Sequence, residues 1–495
     1  MLASLPAPMP AGPVRVLTLP WRDPDDVLWA WRDEAWLACL DSGGDPAIRA
    51  RWTILCRRPR HTLDWRRGAP CRLDGTALPD THPLAADPLA VLRRLLPAPA
   101  PLAETGAETS AETGQGDDPL PFVGGAIGFA GYALGQALEG LATRHAPDPE
   151  SGQPDFAAGL YDHALLFDRV RRQVHLAGIA PAPDALFAAM RAEWAALSPA
   201  PLPAGLPRLD FVPDRPHAGY VAAVARAVDR IAAGDIFQVN ITGRLRAARP
   251  CGLADHAIYR ALRRASPAPF GAWLACGADF GLLSASPERF IQLGPDRVAR
   301  SRPIKGTAPR GATPEQDDAL RAALAMDEKE RAENLMIVDL MRNDLGRVAQ
   351  LGSVRVPELF SVERFAHVHH LVSEIAATLA PGYDALDLLR AALPPGSVTG
   401  APKHRAMQTI DRLESSPRGA YCGAVFRIGT DGAMDSSVII RALATTRRTI
   451  TAAAGGGITI LSDPEREYAE MRLKIAPLLA LFGADRSPGP IGGGT

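Results

Sequence analysis

One segment decides how this chain is interpreted: Arg302-Pro303-Ile304-Lys305-Gly306-Thr307. It places a lysine beside Pro, Gly and Thr, in a turn-like context between apolar segments. Such a lysine is either a buried amine nucleophile or a solvated loop charge, and taken alone the solvated charge is the more common case. The neighbouring sequence reverses that preference.

Two further strings flank this segment. Ser286-Pro287-Glu288-Arg289-Phe290 precedes it, and Arg331-Ala332-Glu333-Asn334-Leu335-Met336-Ile337-Val338-Asp339-Leu340-Met341-Arg342-Asn343-Asp344 follows it. Together the three strings resemble the chorismate-utilising enzymes, the family that includes anthranilate synthase component I, isochorismate synthase and aminodeoxychorismate synthase component I. The resemblance covers most of the chain and is strongest from about Tyr220 to Leu481.

The resemblance implies an α+β fold of the anthranilate synthase component I type. In that fold two large antiparallel sheets pack on each other as a β-sandwich, with the helices outside. The order of elements along the sequence agrees, because strands and helices do not alternate as repeated βαβ units. A Rossmann or barrel fold is therefore disfavoured.

The composition restricts the possible functions. The chain has 495 residues, 47% of them hydrophobic, which is enough for a large core and excludes global disorder. A net charge of −1 gives no electrostatic footprint for nucleic acid or an anionic membrane. The six cysteines are scattered without metal-ligand spacing, and the sequence has neither a signal peptide nor an apolar stretch of membrane-helix length. We therefore expect a soluble, cytoplasmic protein.

Low-complexity stretches suggest how the chain is divided. Residues 97–120 contain three Ala-Glu-Thr triplets in a Pro/Gly background, and residues 198–216 are proline-rich. We predict an N-terminal region over 1–200 with a low-complexity insertion at 97–120. A chorismate-binding catalytic region over 215–482 and a disordered tail over 483–495 complete the prediction.

Local signals predict helices and strands. Helices are expected to start at Thr313, where Gln316 would close a capping box, at Asp327, and near Asp463, the last of them running toward Leu481. Runs of apolar and β-branched residues predict strands. These runs are Val14–Leu19, Arg51–Leu55, Leu160–Asp168, Gln173–Leu176, Val425–Ile428, Val438–Leu443 and Thr449–Ala453.

Two of the predicted helices carry a Glu-x-x-Glu pair, Glu330 with Glu333 and Glu467 with Glu470. Residues at that spacing share one helical face. If the two faces meet, four carboxylates converge and require a hard cation such as Mg²⁺. The alternatives are solvated faces, with Glu470 and Lys474 forming an i,i+4 ion pair, or a di-iron bundle, which requires Glu-x-x-His.

The family resemblance favours magnesium over these alternatives. It implies that Glu333 and Glu470 are direct ligands of Mg²⁺, whereas Glu330 and Glu467 act through water.

A glycine run, Gly455-Gly456-Gly457, follows a predicted strand. Locally it fits an anion-binding nest with positive φ or a plain turn equally well. The resemblance implies that this run meets a carboxylate of chorismate. It also implies that Tyr421 and Arg441 hold the enolpyruvyl carboxylate and that Lys474 contacts another carboxylate.

Other substrate-binding positions come from the same resemblance. Thr399 lies in the string Gly396-Ser397-Val398-Thr399-Gly400-Ala401-Pro402-Lys403, which is expected to start a helix with Pro402 as its first residue. Gly306 and Thr307 belong to the lysine segment. His370, inside an apolar strand-like run, is expected to line the site without acting as a catalyst.

The expected reaction uses two catalytic residues. The resemblance implies that Glu288 is the general acid for the departing C4 hydroxyl and that Lys305 adds to C2 of the ring. Ammonia would then attack C4 and expel the lysine. The chain has no nucleophile elbow of a glutaminase around any cysteine, so the resemblance implies a separate glutamine amidotransferase subunit as ammonia source.

Three alternatives are weaker. Attack of ammonia at C2, as in anthranilate synthases, conflicts with Lys305, since those enzymes usually carry Ala there. Isochorismate synthases activate water with a lysine where this chain has Gln238, which is not a base. A non-catalytic subunit would have lost key residues, all of which are present, namely Glu288, Lys305, Glu333, Arg441 and Glu470.

The N-terminal region carries one further resemblance. Leu40-Asp41-Ser42 and Trp52 are similar to the family's segment around an aromatic amino-acid pocket. The sequence does not decide whether tryptophan binds there.

Overall fold

The structure is a computed structural model, and it describes residues 5–10, 12–44, 50–97, 119–145, 152–179, 184–364 and 368–484. Within these ranges the chain forms 24 strands and eleven helices. The strands are β1 (Val14–Leu19), β2 (Ala38–Asp41), β3 (Trp52–Cys56), β4 (His61–Trp65), β5 (Arg72–Leu73), β6 (Thr76–Ala77), β7 (Gly125–Ala130), β8 (Phe156–Tyr161), β9 (His163–Asp168), β10 (Gln173–Ile179), β11 (Val212–Pro213), β12 (Gln238–Ala248), β13 (Phe270–Cys276), β14 (Phe280–Ser286), β15 (Arg289–Leu293), β16 (Val298–Ser301), β17 (Ile304–Pro309), β18 (Arg355–Arg364), β19 (Val368–Thr378), β20 (Gly400–Ala401), β21 (Ala424–Gly429), β22 (Met434–Val438), β23 (Ala442–Thr446) and β24 (Thr449–Ile458). The helices are α1 (Pro24–Ala30), α2 (Pro88–Leu95), α3 (Tyr132–Leu138), α4 (Asp184–Ala196), α5 (His217–Ala232), α6 (Asp255–Ala265), α7 (Pro314–Met326), α8 (Glu328–Gly346), α9 (Ala385–Ala392), α10 (Lys403–Leu413) and α11 (Pro464–Ala480).

The strands form two antiparallel sheets. The first has the order β1-β10-β9-β3-β2-β13-β14-β23-β24-β12-β11, with β20 also paired to β12. The second has the order β17-β19-β16-β15-β22-β21-β7-β8-β4-β5-β6, with β18 also paired to β19. Apolar side chains from both sheets meet between them, as in the contact of Phe129 on β7 with Phe280 on β14, whose ring centroids are 5.5 Å apart. The predicted α+β sandwich is confirmed.

The helices that carry the predicted metal ligands pack on opposite sheets. Helix α8 lies on β17 and β19 of the second sheet, whereas α11 lies on β24 of the first sheet and against α5. Because the sheets face each other, the two helices can approach at the same edge of the sandwich.

Each sheet combines strands from both sides of the proline-rich segment 198–216. Strand β2 pairs with β13 in the first sheet, and β7 pairs with β21 in the second. The predicted N-terminal and catalytic regions therefore share both sheets. Residues 98–118 of the predicted insertion and 485–495 of the predicted tail lie outside the described residues.

Three helix starts are confirmed, whereas Pro402 is the N-cap of α10 and not its first residue. Thr313, Asp327 and Asp463 cap α7, α8 and α11, and each side chain accepts a hydrogen bond from the backbone N–H three residues later, at 3.3, 2.9 and 2.9 Å. These bonds satisfy backbone donors that have no partner inside the helix. The return bond from Gln316 that would complete the predicted capping box is not among the described contacts.

Two strand predictions are wrong for the same reason. Leu160–Asp168 was expected to be one strand, but β8 ends at Tyr161 in the second sheet and β9 begins at His163 in the first. Likewise Val438–Leu443 is divided between β22 of the second sheet and β23 of the first. At both points the chain crosses between sheets.

Of the helices in the described ranges, none combines the length and the apolar character that crossing a bilayer requires.

Candidate active site

Lys305 lies at an irregular point of an otherwise regular ladder. Strand β17 pairs with β19 through Ile304 opposite Val372 and Thr307 opposite His370, and the register shifts between these two pairs. Gly306, within the shift, has a φ of +83°, a conformation that glycine adopts without the strain a side chain would suffer. Such a bulge turns a side chain out of the ladder, and here it presents the lysine.

The Lys305 amine and the Glu288 carboxyl meet at Ser397. Lys305 Nζ donates to the backbone carbonyl of Ser397 at 3.5 Å. Glu288, between β14 and β15, is only 9% exposed, and burial raises the pKa of its carboxyl, while Lys305 and a hydrogen bond from the Ser397 side chain act in the opposite direction. The two predicted catalytic residues thus share one environment.

Gly306, Thr307 and His370 form one contact group beside the lysine. The Thr307 hydroxyl lies 2.9 Å from His370 Nδ1. Burial lowers the pKa of His370, a hydrogen bond with the Gly306 backbone opposes this, and the Arg441 guanidinium lowers it further. His370 therefore lies beside the lysine segment, and its role in lining the site stays a prediction.

Arg441 stands at the crossing between β22 and β23, with a φ of +51°. Its backbone carbonyl accepts from the N–H of Ala285, near the end of β14, at 3.1 Å. The side chain is exposed, but the surrounding protein removes part of its hydration and lowers its pKa. No acidic side chain in the described ranges forms an ion pair with it, so its guanidinium is available to an anionic ligand.

The glycine run continues the strand, and the predicted nest or turn is wrong. Strand β24 extends to Ile458, the glycines pair with β12, and none of the three has a positive φ. The first of them is required for space, because a Cβ there would meet backbone, whereas at the other two it would meet the ends of side chains. A Cβ in the run 455–457 would lie 2.4 Å from the Ile241 carbonyl oxygen, 2.9 Å from Glu467 Oε2 and 2.5 Å from Gln238 Nε2, respectively.

The four predicted metal ligands lie near enough for their charges to affect one another. Burial raises the pKa of Glu330, Glu333 and Glu467, and each of the three is also raised by at least one carboxylate of the four. These effects act between α8 and α11, because the charge of Glu470 raises the pKa of Glu330 and the charge of Glu467 raises the pKa of Glu333. The sequence prediction that the two Glu-x-x-Glu faces meet agrees with this arrangement.

Three lysines, Lys305, Lys329 and Lys474, act on these carboxylates. Burial raises the pKa of Glu470, but the three ammonium groups, of which that of Lys474 lies at 2.6 Å, together outweigh it and lower that pKa. Lys474 Nζ also donates to the Gly455 carbonyl at 3.2 Å. Lys329 Nζ lies 4.0 Å from Glu333 Oε1, and its charge acts on all four glutamates.

The side chains of this cluster are not closed around a common centre. In the described part of the chain, no three acidic, histidine or cysteine side chains are already gathered as a metal ion requires. The donor set nevertheless suits a hard cation, because it consists of carboxylates that raise one another's pKa.

Among the described residues, two predicted substrate-binding residues are not hydrogen-bonded to the catalytic pair. The Thr399 hydroxyl donates to the backbone carbonyls of Pro395 and Gly396, both at 3.1 Å. Tyr421 lines a cavity of about 20 Å³ together with Arg418.

Sequence reasoning missed Ser397 and a buried ion pair behind it. Arg418 donates to Glu414 Oε1 at 2.6 Å, to the Val398 carbonyl at 2.7 Å and to the Asn240 carbonyl at 2.8 Å. The pair therefore holds the turn that carries Ser397 against β12. The only sequence signal for Ser397 was its place in the family string that begins at Gly396.

The predicted aromatic pocket residues line one cavity on the other side of the Glu288 segment. Leu40, Asp41, Ser42 and Trp52 border a cavity of about 260 Å³, together with Arg289. The Asp41 carboxylate accepts a hydrogen bond from the Thr53 hydroxyl at 2.7 Å.

Comparisons with known proteins agree with this arrangement. The sequence profile of the family described as chorismate binding enzyme matches residues 83–480. Aminodeoxychorismate synthase component 1 of Klebsiella aerogenes is 40% identical over 468 residues, covering 94% of this chain and 98% of the relative. Anthranilate synthase component 1 of Cereibacter sphaeroides is 38% identical over 451 residues, covering 87% of this chain and 85% of the relative. The crystal structure of anthranilate synthase component I from Streptococcus pneumoniae superposes with a TM-score of 0.73 at 30% identity, covering 87% and 93% of the two chains. The chain therefore belongs to the chorismate-binding enzyme family.

Proposed function

We propose that this chain is component 1 of an aminodeoxychorismate synthase, which replaces the C4 hydroxyl of chorismate by an amino group. The observation that carries the proposal is the meeting of the Lys305 amine with the buried Glu288 carboxyl at Ser397. A relative of the same name matches the chain over nearly its whole length. The product, 4-amino-4-deoxychorismate, would supply 4-aminobenzoate and folate synthesis.

The reaction proceeds in two displacements. Glu288, whose pKa burial raises, gives its proton to the C4 oxygen, which leaves as water while the unprotonated form of the Lys305 amine forms a bond to C2. Ammonia then attacks C4, the bond between C2 and the lysine nitrogen breaks, and Lys305 is released. The surplus proton of the incoming nitrogen restores Glu288, so the net change is exchange of water for ammonia.

Binding of chorismate relies on its two carboxylates. Arg441, exposed and without an ion-pair partner in the described ranges, suits the enolpyruvyl carboxylate, with Tyr421 as a second contact. Lys474, beside the glycines of β24, suits the ring carboxylate. Gly306, Thr307, His370 and Thr399 would complete the walls of the site.

The acidic cluster is proposed to hold Mg²⁺. Glu333 and Glu470 would bind it directly, and Glu330 and Glu467 would act through water. The bound ion would withdraw electron density from the ring carboxylate and so ease departure of the C4 oxygen. For this, Glu470 has to leave its ion pair with Lys474.

Ammonia is proposed to come from a separate glutamine amidotransferase subunit. Support comes from the designation component 1 in the names of the relatives. Such a two-subunit enzyme would work in the cytoplasm, with neither nucleic acid nor membrane as partner.

Product identification tests the proposal. The purified chain is incubated with chorismate, Mg²⁺ and ammonium at alkaline pH, and the products are separated by chromatography and weighed by mass spectrometry. A product that keeps the enolpyruvyl ether and carries an amine in place of the hydroxyl is expected. Fluorescent anthranilate would show attack at C2 and would overturn the proposed activity, leaving the family and fold intact.

A further inference from the structure

A short turn before α10 is held in place from three sides. Residues Gly396–Val398 form one turn of 3₁₀-helix. The Thr399 hydroxyl donates to two backbone carbonyls at its start, each at 3.1 Å, and Arg418 donates to the Val398 carbonyl at 2.7 Å. A Cβ on Gly396 would lie only 2.6 Å from a methyl carbon of Leu340 on α8. The turn therefore has little freedom to move.

Ser397 is the residue of this turn that faces the catalytic pair. The chain from 391 to 400 is buried except for Ser397, which is partly exposed. Its carbonyl accepts from Lys305 Nζ at 3.5 Å. Its side chain is the hydrogen-bonding group that lowers the pKa of the Glu288 carboxyl, so this residue lies beside both reactive groups.

We infer that Ser397 is a positioning residue of the active site, whose carbonyl orients the Lys305 amine while its hydroxyl orients the Glu288 carboxyl. Its backbone is fixed by the turn, so the separation of the nucleophile and the acid is set by one rigid element. A catalytic constellation gains rate when such distances are fixed in advance. This inference rests on the proposed function for the roles of Lys305 and Glu288.

The Ser397 hydroxyl also affects the protonation of Glu288. A donor to the ionised carboxylate stabilises that form and lowers the pKa that burial raises. The other group that faces Glu288 is the Lys305 amine from β17, which acts in the same direction, and no further charged side chain in the described ranges contributes. Burial and these two groups therefore act on the Glu288 pKa in opposite directions.

The experiment compares Ser397→Ala with Ser397→Thr, which retains a hydroxyl. The rate is followed as loss of chorismate, with Mg²⁺ saturating and free ammonia held constant at each pH. Ser397→Ala is expected to lower kcat by about tenfold to a hundredfold, the scale of a misplaced catalytic group. Loss of the donor also raises the pKa of Glu288, so the alkaline limb of the profile should move to higher pH.

Ser397→Thr should restore most of the rate and return the limb to its wild-type position. A purely structural role would lower the rate of Ser397→Ala without moving the limb, and that result would overturn the inference. Equal pH–rate profiles for the wild type, Ser397→Ala and Ser397→Thr would overturn it too.

The loss of chorismate is measured whatever the product is, so failure of the inference is distinguishable from failure of the proposed function. A wild-type chain that produces anthranilate refutes the proposed function. An alkaline limb of the pH–rate profile that does not move in Ser397→Ala refutes the role of Ser397.

Discussion

Gly306 on β17 lies directly against Glu330 on α8. A Cβ built on Gly306 would be 3.2 Å from both Cβ and Oε2 of Glu330, closer than most real contacts allow. The positive φ of Gly306 is also a conformation that a side chain strains. The bulge that presents Lys305 is therefore fitted to the helix that carries two of the proposed metal ligands.

We expect Gly306→Ala to reduce both turnover and Mg²⁺ affinity, because the new methyl group must displace either the bulge or Glu330. The backbone strain alone is expected to cost about 1–3 kcal/mol. Turnover is measured as loss of chorismate and metal affinity by calorimetry. Gly346→Ala, at the far end of α8 with open space around it, is the control and should leave both quantities unchanged. Wild-type behaviour of Gly306→Ala would show that the bulge and α8 are not coupled.

Lys305→Ala is expected to lose most turnover while still binding chorismate. The variant lacks the proposed nucleophile, whereas Arg441 and the glycine strand remain, so a loss of about a hundredfold or more in kcat is expected with little change in substrate affinity. Rapid mixing gives the turnover, and equilibrium binding gives the affinity.

Lys305→Arg serves as the control for charge, because arginine keeps the positive charge beside Glu288 but does not act as an amine nucleophile. It should be as inactive as Lys305→Ala. Without ammonia, the wild-type chain should accumulate a protein adduct with the mass of dehydrated chorismate, and both variants should not. Wild-type turnover in either variant would exclude covalent catalysis through this lysine.

The helix starts were predictable from sequence because their cause is local. Thr313, Asp327 and Asp463 cap donors only three residues away, so the signal and the structure lie within one turn. The crossings between sheets were not predictable, since neither has a glycine or proline at the crossing residue. Asp162 separates β8 from β9, and Arg441, at a φ of +51°, precedes β23.

In the active site, too, the sequence did not predict contacts between residues that are distant along the chain. The spacing of each Glu-x-x-Glu pair predicts a shared helical face, but only the packing of α8 and α11 on facing sheets brings the two pairs together. Ser397 was not predicted because its contacts with Lys305 and Glu288 join three segments distant in sequence. The family resemblance supplied the residue roles, but it did not show which contacts hold those residues.

Lys329 is expected to compete with Mg²⁺ for the acidic cluster. Its ammonium lies 4.0 Å from Glu333 Oε1 and acts on all four glutamates, so in the metal-free protein it offsets part of their repulsion. We expect Lys329→Met to lower the Kd for Mg²⁺ by about two- to fivefold, the range for a partly exposed pair. The same variant should melt at a lower temperature without metal.

Arg342→Met is the matched control for Lys329→Met. Arg342 lies on the same helix and is similarly exposed, at 52% against 49%, but it pairs with Asp339 about 20 Å along the axis from Lys329. It should leave the Kd for Mg²⁺, measured by calorimetry, unchanged. An unchanged or higher Kd in Lys329→Met would refute the competition.

Glu414 and Arg418 form a buried ion pair in which both carboxylate oxygens accept hydrogen bonds. Glu414 accepts from Arg418 and, at 2.9 Å each, from the backbone N–H and hydroxyl of Thr242. Burial lowers the pKa of Arg418, but Glu414 outweighs it, so that pKa is raised well above its ordinary value. The guanidinium therefore depends on this one carboxylate for its charge balance.

We expect Glu414→Gln to destabilise the protein by about 3–5 kcal/mol, since it leaves a buried guanidinium without a counter-charge. Replacing both residues, in Glu414→Leu with Arg418→Met, should cost less than the sum of the single changes because no charge is then stranded. Urea unfolding measures the stability of each variant. Asp339→Asn, which breaks an exposed ion pair, should leave the unfolding midpoint unchanged.

Arg418 also holds the Val398 carbonyl, so Glu414→Gln should lower turnover through the Ser397 turn at urea concentrations below those that unfold the protein. Additive single and double effects would mean that the two residues act independently and that the turn is held by Thr399 alone.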